Sequence, residues 1–250
     1  MELGLKKKRV VVAGGSRGIG RWIALAFAAE GADVSICARS EGGLRDVEAD
    51  LKKSGGRVHA ATCDLGDGPA VQRYVEEAAA TLGGIDILVN NASGFGRTDD
   101  EAGWAASINV DLMGSVRASH AAIPHLEKAG GGCILHISSI SGLGANVRTP
   151  PYGAVKAALI QYTQTQAAAL AGKGIRVNCI APGSIEFPGG VWDQAKTGNP
   201  KLYDSILRGI PFGRMGRPEE VANLAIFLCS PAASWITGET VAIDGGQRLG

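Results

Sequence analysis

The sequence predicts an α/β fold in which a doubly wound parallel β-sheet carries helices on both faces. Short runs rich in Val and Ile alternate along the chain with stretches of helical periodicity, as in strands joined by crossover helices. The first such strand ends in a glycine-rich turn that opens a helix. No repeat, low-complexity tract or linker interrupts the alternation. The 250 residues are therefore predicted to form a single domain, 1–250.

The same alternation defines each element in chain order. Strands buried in a parallel sheet are short and almost continuously apolar, whereas the helices between them repeat apolar residues three and four apart. Gly31 marks the end of the first helix. The predicted strands are 10–13, 34–37, 57–62, 85–89, 133–137, 176–180 and 240–243. The predicted helices are 21–30, 44–53, 71–82, 104–128, 152–170 and 219–228.

Composition excludes several classes of function. With 45% apolar and 20% charged residues, the chain has the profile of a globular protein with a large core. The formal net charge of +1 provides no electrostatic footprint for nucleic acid or an anionic membrane, so neither is expected as a partner. No apolar run is long enough to cross a bilayer, and no signal peptide opens the sequence. We expect a cytoplasmic protein with a small-molecule substrate.

The cysteines and histidines do not indicate a metal site or a disulfide framework. There are five cysteines, an odd number, with no C-x-x-C spacing, and four of them lie in or beside apolar runs. They are interpreted as small buried hydrophobic residues. The four histidines lack the spacing of metal ligands, so no metal is expected. His136 is interpreted as a core or sheet-edge histidine rather than a catalytic base.

The glycine-rich turn after the first strand has the features of a phosphate-binding loop. Its glycines let the backbone approach a diphosphate closely, and the exposed N–H groups at the start of the following helix favour negative charge. An ordinary turn between a strand and a helix is the alternative. The residues expected to contact a dinucleotide here are Gly14, Ser16, Arg17, Gly18, Ile19 and Gly20.

Polar or glycine-containing residues also follow five later strands. Sheets of this kind bind ligands at the carboxyl ends of their strands. One polar ending is ordinary for a loop, but so many at one edge are better explained by a shared site. The endings are Arg39-Ser40, Asp64-Leu65, Asn90-Asn91-Ala92, Ser138-Ser139 and Pro182-Gly183.

The ending of the second strand bears on which dinucleotide binds. Sheets that bind NAD usually place an Asp or Glu about 20 residues beyond the glycines, where it holds the ribose diol. Here that neighbourhood reads Cys-Ala-Arg-Ser at 37–40 and contains no acid. Arg39 and Arg17 suit the 2′-phosphate of NADP(H) through charge-assisted bonds. NADP(H) is therefore the predicted cofactor, and NAD(H) is the alternative if both arginines are only solvated surface residues.

Tyr152 and Lys156 are the candidate catalytic pair. Residues four apart share one face of a helix, so a phenol and an ammonium can converge on one point. A phenol has a reference pKa of about 10, and a neighbouring cation favours its ionised form, which makes it useful as an acid/base near neutral pH. Ser139, from another segment, is suited to hold a carbonyl oxygen beside them. A helix that merely begins Tyr-x-x-x-Lys is the alternative when the pair is considered alone.

Together these motifs resemble those of the classical short-chain dehydrogenases/reductases, in the family's order and over essentially the whole chain. The resemblance implies a Rossmann-type fold and NAD(P)-dependent carbonyl–alcohol oxidoreductase activity, most broadly like that of 3-oxoacyl-[acyl-carrier-protein] reductases. It identifies the catalytic set as Asn109, Ser139, Tyr152 and Lys156. Together with Arg39 and Ser40 at the end of the second strand, the further predicted cofactor contacts are Asp64, Leu65, Asn91, Ala92, Ser93, Tyr152, Lys156, Pro182, Gly183 and Ile185.

The resemblance also implies a mechanism. A hydride passes between the nicotinamide and a carbonyl carbon, while Tyr152 exchanges a proton with the carbonyl oxygen and Ser139 holds that oxygen by a hydrogen bond. Lys156 assists the tyrosine and binds the nicotinamide ribose, and Asn109 supports a water-linked proton path. Phe187 departs from the family pattern, since it stands where a Thr can touch the nicotinamide amide.

The segments between the motifs are expected to determine the substrate. Phe95, Arg148, Phe187 and Trp192 are the predicted pocket residues, and the Gly- and Pro-rich segment 186–215 is a predicted lid. A mixed apolar and basic lining suits a 3-oxoacyl thioester, but it suits a sugar, a steroid or another secondary alcohol equally well.

Two other classes of protein share the predicted fold. One is a non-catalytic nucleotide-binding protein, although such a protein has no need of the complete catalytic set. The other is a dehydratase or epimerase of a longer related branch, which usually carries a larger C-terminal region. Residues 237–246 resemble the subunit-contact strand of the family and predict a homotetramer, with an ordinary sheet-edge strand as the alternative.

Overall fold

A computed structural model, which describes residues 2–249, contains a seven-stranded, fully parallel sheet. Its strands lie in the order β3-β2-β1-β4-β5-β6-β7. The order reverses between β1 and β4, which leaves a crevice at the carboxyl ends of these two strands. The strands are β1 (Arg9–Ala13), β2 (Asp33–Ala38), β3 (Val58–Thr62), β4 (Ile87–Asn90), β5 (Gly132–Ile137), β6 (Ile175–Pro182) and β7 (Thr240–Ile243).

The helices cover both faces of this sheet and include two that the sequence did not predict. The helices are α1 (Gly18–Ala29), α2 (Gly42–Lys52), α3 (Gly68–Leu82), α4 (Glu101–Ala106), α5 (Met113–Lys128), α6 (Pro150–Leu170), α7 (Val191–Gly198), α8 (Pro200–Arg208) and α9 (Pro218–Cys229). The unpredicted helices, α7 and α8, lie inside the expected lid. Asn199 caps α8 by accepting from the Leu202 N–H at 3.2 Å, and Pro200 stands at a first-turn position that needs no donor.

The helix predicted over 104–128 is divided. A π-helix, Ser107–Leu112, joins α4 to α5. A π-helical turn holds an extra residue, so the face that each side chain occupies changes along it. Its buried polar residues, Ser107 and Asp111, lie four positions apart and face the inside of the protein.

The core consists of one apolar layer on each face of the sheet. Alternate residues of a strand point to opposite faces, so Val10 and Val12 pack with α1, α2 and α9, while Val11 and Ala13 pack with α3, α5 and α6. Phe27 of α1 is fully buried, which contributes about 1.5–3 kcal/mol relative to an exposed ring. These two layers fix the strand ends from which the cleft residues project.

Ion pairs join neighbouring strands at the opposite, amino-terminal edge of the sheet. The Arg9 side chain binds Asp86 at 2.7 Å, and Arg57 binds the buried Asp33 carboxylate at 2.8 Å. Both pairs lie away from the carboxyl ends of the strands. They therefore belong to the scaffold and not to the crevice.

The buried thiols and His136 agree with the sequence interpretation. All five cysteines are buried and carry free thiols. His136 is buried between Asn90 and Gln166, which lie 3.2 Å and 3.0 Å from its two ring nitrogens. Burial lowers the pKa of His136 to about 4, so the ring is neutral near pH 7. Within residues 2–249, none of the helices combines the length and the apolar character needed to traverse a bilayer.

Candidate active site

A cleft of about 1080 Å³ opens at the carboxyl edge of the sheet, and the segments that follow β1 to β6 line it. The shared site expected from the strand endings therefore exists. Two of the predicted site residues, Gly20 and Asn109, do not line it. The predicted residues that do are Gly14, Ser16, Arg17, Gly18, Ile19, Arg39, Ser40, Asp64, Leu65, Asn91, Ala92, Ser93, Phe95, Ser139, Arg148, Tyr152, Lys156, Pro182, Gly183, Ile185, Phe187 and Trp192.

Two glycines of the loop, Gly14 and Gly20, are packed too closely to be replaced by residues with side chains. Gly14 has a φ of +88°, and a Cβ on it would lie 2.8 Å from the Ala92 backbone. A Cβ on Gly20 would lie 2.0 Å from the Gly14 carbonyl oxygen. Gly20 thus packs α1 against the loop instead of facing the cleft. The Asn91 side chain donates to the same Gly14 carbonyl at 2.8 Å, so the end of β4 holds the loop from the other side.

The cleft is strongly cationic. Within residues 2–249, Asp64 is the only carboxylate that lines it, and Asp64 Oδ1 accepts from the Gly66 N–H at 2.9 Å. Arg17 and Arg39 are exposed and form no ion pair with another described residue. This distribution favours a polyanionic ligand. The cationic lining residues are Arg17, Arg39, Arg97, Arg148, Lys156 and Arg248.

The turn after β5 lies directly on α6, which brings Ser139 to the same cleft as Tyr152. Ser138 donates its hydroxyl to the Lys156 carbonyl at 2.8 Å, and a Cβ on Gly142 would lie 2.6 Å from the Lys156 backbone. Ser139 Oγ accepts from the Ser141 N–H at 3.1 Å. Because this bond uses a lone pair of the hydroxyl oxygen, the Ser139 proton stays available for a ligand oxygen.

Lys156 is buried beside Tyr152. Its Nζ lies 5.4 Å from the centre of the Tyr152 ring and donates to the Ile137 carbonyl at 3.0 Å. The same nitrogen lies 3.1 Å from Asp111 Oδ1. Burial lowers the pKa of Lys156, but Asp111 and Tyr152 together outweigh that effect and leave the pKa above its ordinary value. Lys156 is therefore a charged ammonium at neutral pH.

The structure corrects the position of Asn109. Asn109 lies on the exposed side of the π-helix, where its side-chain oxygen accepts from Arg117 at 2.9 Å. Asp111, two positions later, is fully buried and contacts Lys156 instead. Residues two apart point to roughly opposite sides of a helix, so an offset of two positions selects the wrong face. A signal was present, because Asp111 is the only carboxylate between Glu101 and Glu127 and a buried lysine needs a counter-charge.

Phe95 forms part of the wall next to Tyr152. Their ring centres are 4.9 Å apart and the rings are nearly perpendicular, at 83°. The Arg97 guanidinium lies 5.6 Å from the Phe95 ring centre. Phe95 has a φ of +48°, which a bulky residue rarely adopts. The surroundings of Phe95 must therefore stabilise this conformation.

The backbone on each side of Phe95 is fastened to the π-helix. The Gly94 N–H donates to Asp111 Oδ2 at 2.7 Å, and the Gly96 N–H donates to Ser107 Oγ at 3.0 Å. Both acceptors are buried side chains on the same helical face. The π-helix thus fixes the segment that carries Phe95.

The predicted lid contributes an aromatic wall from the other side of the cleft. Phe187 lies against the glycine loop, since a Cβ on Gly18 would be 2.6 Å from its ring. Trp192 of α7 also lines the cleft. Glu186 ties α7 and α8 together by accepting from the Tyr203 hydroxyl at 2.5 Å and pairing with Lys196 at 3.0 Å.

Comparison with known proteins identifies the family. A family profile described as enoyl-(acyl carrier protein) reductase matches residues 13–248. The 3-oxoacyl-[acyl-carrier-protein] reductase FabG of Chlamydia trachomatis is 38% identical over 251 residues, which covers 97% of this chain and 98% of the relative. The protein belongs to the short-chain dehydrogenases/reductases.

Solved structures of other short-chain dehydrogenases/reductases share the whole architecture. A 7α-hydroxysteroid dehydrogenase complexed with NADH and 7-oxo glycochenodeoxycholic acid has a TM-score of 0.92 and 33% identity, covering 98% of this chain and 96% of that one. The L-sorbose reductase from Gluconobacter frateurii, complexed with NADPH and L-sorbose, has a TM-score of 0.91 and 32% identity, covering 99% and 98%.

These comparisons confirm the predicted family, the Rossmann-type fold and, at the level of the family, an oxidoreductase that interconverts a carbonyl and an alcohol. They do not choose between dinucleotides, because one solved short-chain dehydrogenase/reductase holds NADH and the other NADPH. Their ligands are a steroid and a sugar, so the family also leaves the substrate open.

Proposed function

We propose that the protein is an NADP(H)-dependent oxidoreductase that interconverts a carbonyl group and a secondary alcohol, with Tyr152 as general acid/base. The observation that carries this proposal is the convergence of Tyr152, Ser139 and the charged Lys156 in a cleft whose other end is a glycine loop. A nucleotide sensor has no use for a buried ammonium beside a phenol. The buried Lys156 ammonium beside Tyr152 therefore favours an enzyme over a non-catalytic nucleotide-binding protein.

The residues of the cleft fit a nicotinamide dinucleotide, which supplies the hydride when it is bound. Gly14 and Gly18 line the cleft without side chains, which suits the close approach of a diphosphate, and the cationic lining suits its charge. Ser139 donates its free proton to the substrate oxygen, and Tyr152 exchanges a proton with that oxygen. The Lys156 ammonium favours the ionised phenol as charge develops.

The choice of NADP(H) over NAD(H) is supported by charge. Arg17 and Arg39 border the cleft without a carboxylate partner, and no acid stands at residues 37–40, where a ribose diol would be held. Arg45→Asp provides a matched control for Arg39 substitutions, because Arg45 is an exposed arginine of α2 that does not line the cleft.

For the substrate we propose a 3-oxoacyl thioester. The walls of the cleft combine the aromatic rings of Phe95, Phe187 and Trp192 with the exposed guanidinium groups of Arg97 and Arg148. Such a lining suits an apolar chain that continues into an anionic carrier. A panel containing an acetoacetyl thioester, diketones, ketosugars and a ketosteroid tests this. Faster turnover of a ketosugar or ketosteroid than of the thioester would replace the proposed substrate.

We also propose that the protein is a homotetramer acting in the cytoplasm. Strand β7 ends one side of the sheet, and nearby Trp235 and Phe212 are 99% and 73% exposed, which suits burial against another subunit. Size-exclusion chromatography with light scattering measures the assembly directly. A monomer at micromolar concentration would contradict the tetramer.

The test of the central proposal is Tyr152→Phe. We expect kcat for carbonyl reduction to fall by about 10²- to 10⁴-fold, since the proton donor is lost, while NADPH affinity measured by fluorescence stays within a few-fold. Tyr162→Phe is the control, because that phenol belongs to the same helix but does not line the cleft. Near-normal turnover by Tyr152→Phe would refute the assignment.

A further inference from the structure

Asp111 and Lys156 form a buried ion pair whose anion has no part in the function proposed above. Their side chains are 0% and 3% exposed, and Lys156 Nζ lies 3.1 Å from Asp111 Oδ1. That oxygen has no other partner, while Asp111 Oδ2 accepts from the Gly94 N–H at 2.7 Å. Burying a carboxylate is costly, and an apolar pair of similar volume is often at least as stable. Stability alone therefore does not account for Asp111.

Of the elements that pack around the Lys156 ammonium, the π-helix presents a charged group, and α6, β5 and β6 present neutral ones. On α6 it faces the Tyr152 phenol, and on β5 it faces His136, whose low pKa keeps the ring neutral. On β6 it faces Cys179, whose thiol pKa is raised by burial. Asp111 is thus the only compensating charge that these elements provide within residues 2–249.

We propose that Asp111 is a positioning residue that holds the Lys156 ammonium and offsets its charge, and so sets the pH range in which Tyr152 exchanges its proton. This inference rests on the proposed role of Tyr152 as acid/base. Asp111 touches neither a reacting atom nor the cleft surface, and it acts through Lys156.

The physical basis is the total charge of three coupled groups. With Tyr152 protonated, Lys156 and Asp111 cancel, so releasing the phenol proton takes the cluster from zero to −1. Without the carboxylate, the same release takes the cluster from +1 to zero. In a buried site the second change is easier, because it ends in a phenolate paired with an ammonium. Removing the Asp111 charge should therefore move phenol ionisation to lower pH.

The test is Asp111→Asn, which keeps the shape of the side chain and removes its charge. We expect the pH midpoint of phenolate formation to fall by about one unit. The ultraviolet absorbance of tyrosinate gives this midpoint, with the signal of a matching Tyr152→Phe variant subtracted so that only Tyr152 contributes. The acidic limb of the pH profile for alcohol oxidation should shift by the same amount. Asp111→Glu, which retains the charge, should restore the wild-type midpoint.

Two controls separate this effect from general damage. An asparagine amide keeps only one acceptor oxygen, so its NH2 group would have to face either the Gly94 N–H or the Lys156 ammonium, and folding of Asp111→Asn is therefore checked by circular dichroism. Asp111→Ser replaces it if it does not fold. Asp33→Asn removes another buried, paired carboxylate at the far edge of the sheet, and it should lower thermal stability without moving either midpoint.

The outcomes are distinguishable. A midpoint that stays fixed or rises in Asp111→Asn would overturn the inference, even if the rate falls, because a merely structural residue lowers the rate without moving the profile. If the absorbance midpoint falls but wild-type enzyme reduces no carbonyl, the effect of the Asp111 charge on Tyr152 is established and the proposed function fails. If wild-type enzyme turns over normally and neither midpoint moves, the proposed function stands alone.

Discussion

The two ends of the cleft are built in different ways. At the glycine-loop end, the Gly14 carbonyl accepts from the Asn91 side chain, and added Cβ atoms on Gly14 and Gly20 would approach backbone atoms to 2.8 Å and 2.0 Å. At the substrate end, Arg97 and Arg148 are exposed, and Val147 is 89% exposed. The first end cannot vary without loss of the fold, whereas the second can change while the scaffold is retained.

The largest effect is expected from Gly20→Val at the glycine-loop end. The new side chain would have to displace the Gly14 carbonyl, so we expect a loss of more than about 3 kcal/mol in the free energy of unfolding and no measurable NADPH binding. Gly144→Val, in the loop of the substrate end, is the matched change, since a Cβ there meets no atom within 4 Å. Equal damage from both variants, measured by thermal melting, would show that the two ends do not differ in tolerance.

Acid sensitivity should arise in the scaffold beneath the cleft, not in its exposed walls. His136 has a pKa of about 4 when folded and about 6.5 when unfolded, so the unfolded chain binds more protons between these values. The contribution of His136 to the free energy of unfolding is fully present above about pH 6.5, and it falls by a few kcal/mol as the pH drops to about 4. Urea unfolding at several pH values measures this, and His136→Gln should flatten the curve. A curve of unchanged steepness would assign the acid effect to other groups.

Arg39→Asp tests an exposed residue at the glycine-loop end of the cleft. A charge-assisted bond to the 2′-phosphate contributes about 1.5–3 kcal/mol, so the preference for NADPH over NADH in kcat/KM should fall by about 10- to 100-fold. The new carboxylate can also hold a ribose diol, which favours NADH further. The control variant Arg45→Asp should keep the wild-type preference. An Arg39→Asp enzyme with unchanged preference would remove the case for NADP(H).

The smallest effect is expected from Phe95→Leu at the substrate end. Losing the edge-to-face contact with Tyr152 costs about 0.5–1.5 kcal/mol, which corresponds to a change of about 2- to 10-fold in kcat/KM for the carbonyl. NADPH affinity should not change. Phe227→Leu, the same change in a ring of α9 that packs on the core outside the cleft, should have no effect on either quantity. A larger change in NADPH affinity than in carbonyl turnover would move Phe95 to the cofactor end.

The sequence predicted the glycine-loop end of the cleft well, because the contacts that define this end join residues close together in the chain. Each strand was predicted to within two residues of its observed ends, and the glycines, the polar strand endings and the Tyr-x-x-x-Lys spacing depend on contacts between neighbours in the chain. Gly20 was the exception, since a packing glycine and a ligand-facing glycine look the same in a motif. All other predicted contacts of the glycine loop line the cleft.

The remaining features depend on which face of a helix each residue occupies and on tertiary contacts, and a single sequence reveals neither. The Gly and Pro content of 186–215 concealed α7 and α8, although Asn199-Pro200 is a helix start. The inward face of the π-helix could not be assigned from periodicity, because the extra residue in its turn changes the phase. Asn109 came from the family resemblance alone, and no periodic pattern in the sequence showed that Asp111 faces inward.

The π-helix links the substrate end of the cleft to the buried ion pair. Its Asp111 carboxylate holds the Gly94 backbone with one oxygen and meets Lys156 with the other. Phe95, a wall residue of the pocket, is the next residue after Gly94. A substitution that reshapes residues 93–97 to admit a new substrate will therefore also shift the Asp111 carboxylate relative to Lys156. Specificity and optimal pH should change together in engineered variants of this loop, so a library directed at one must be screened for the other.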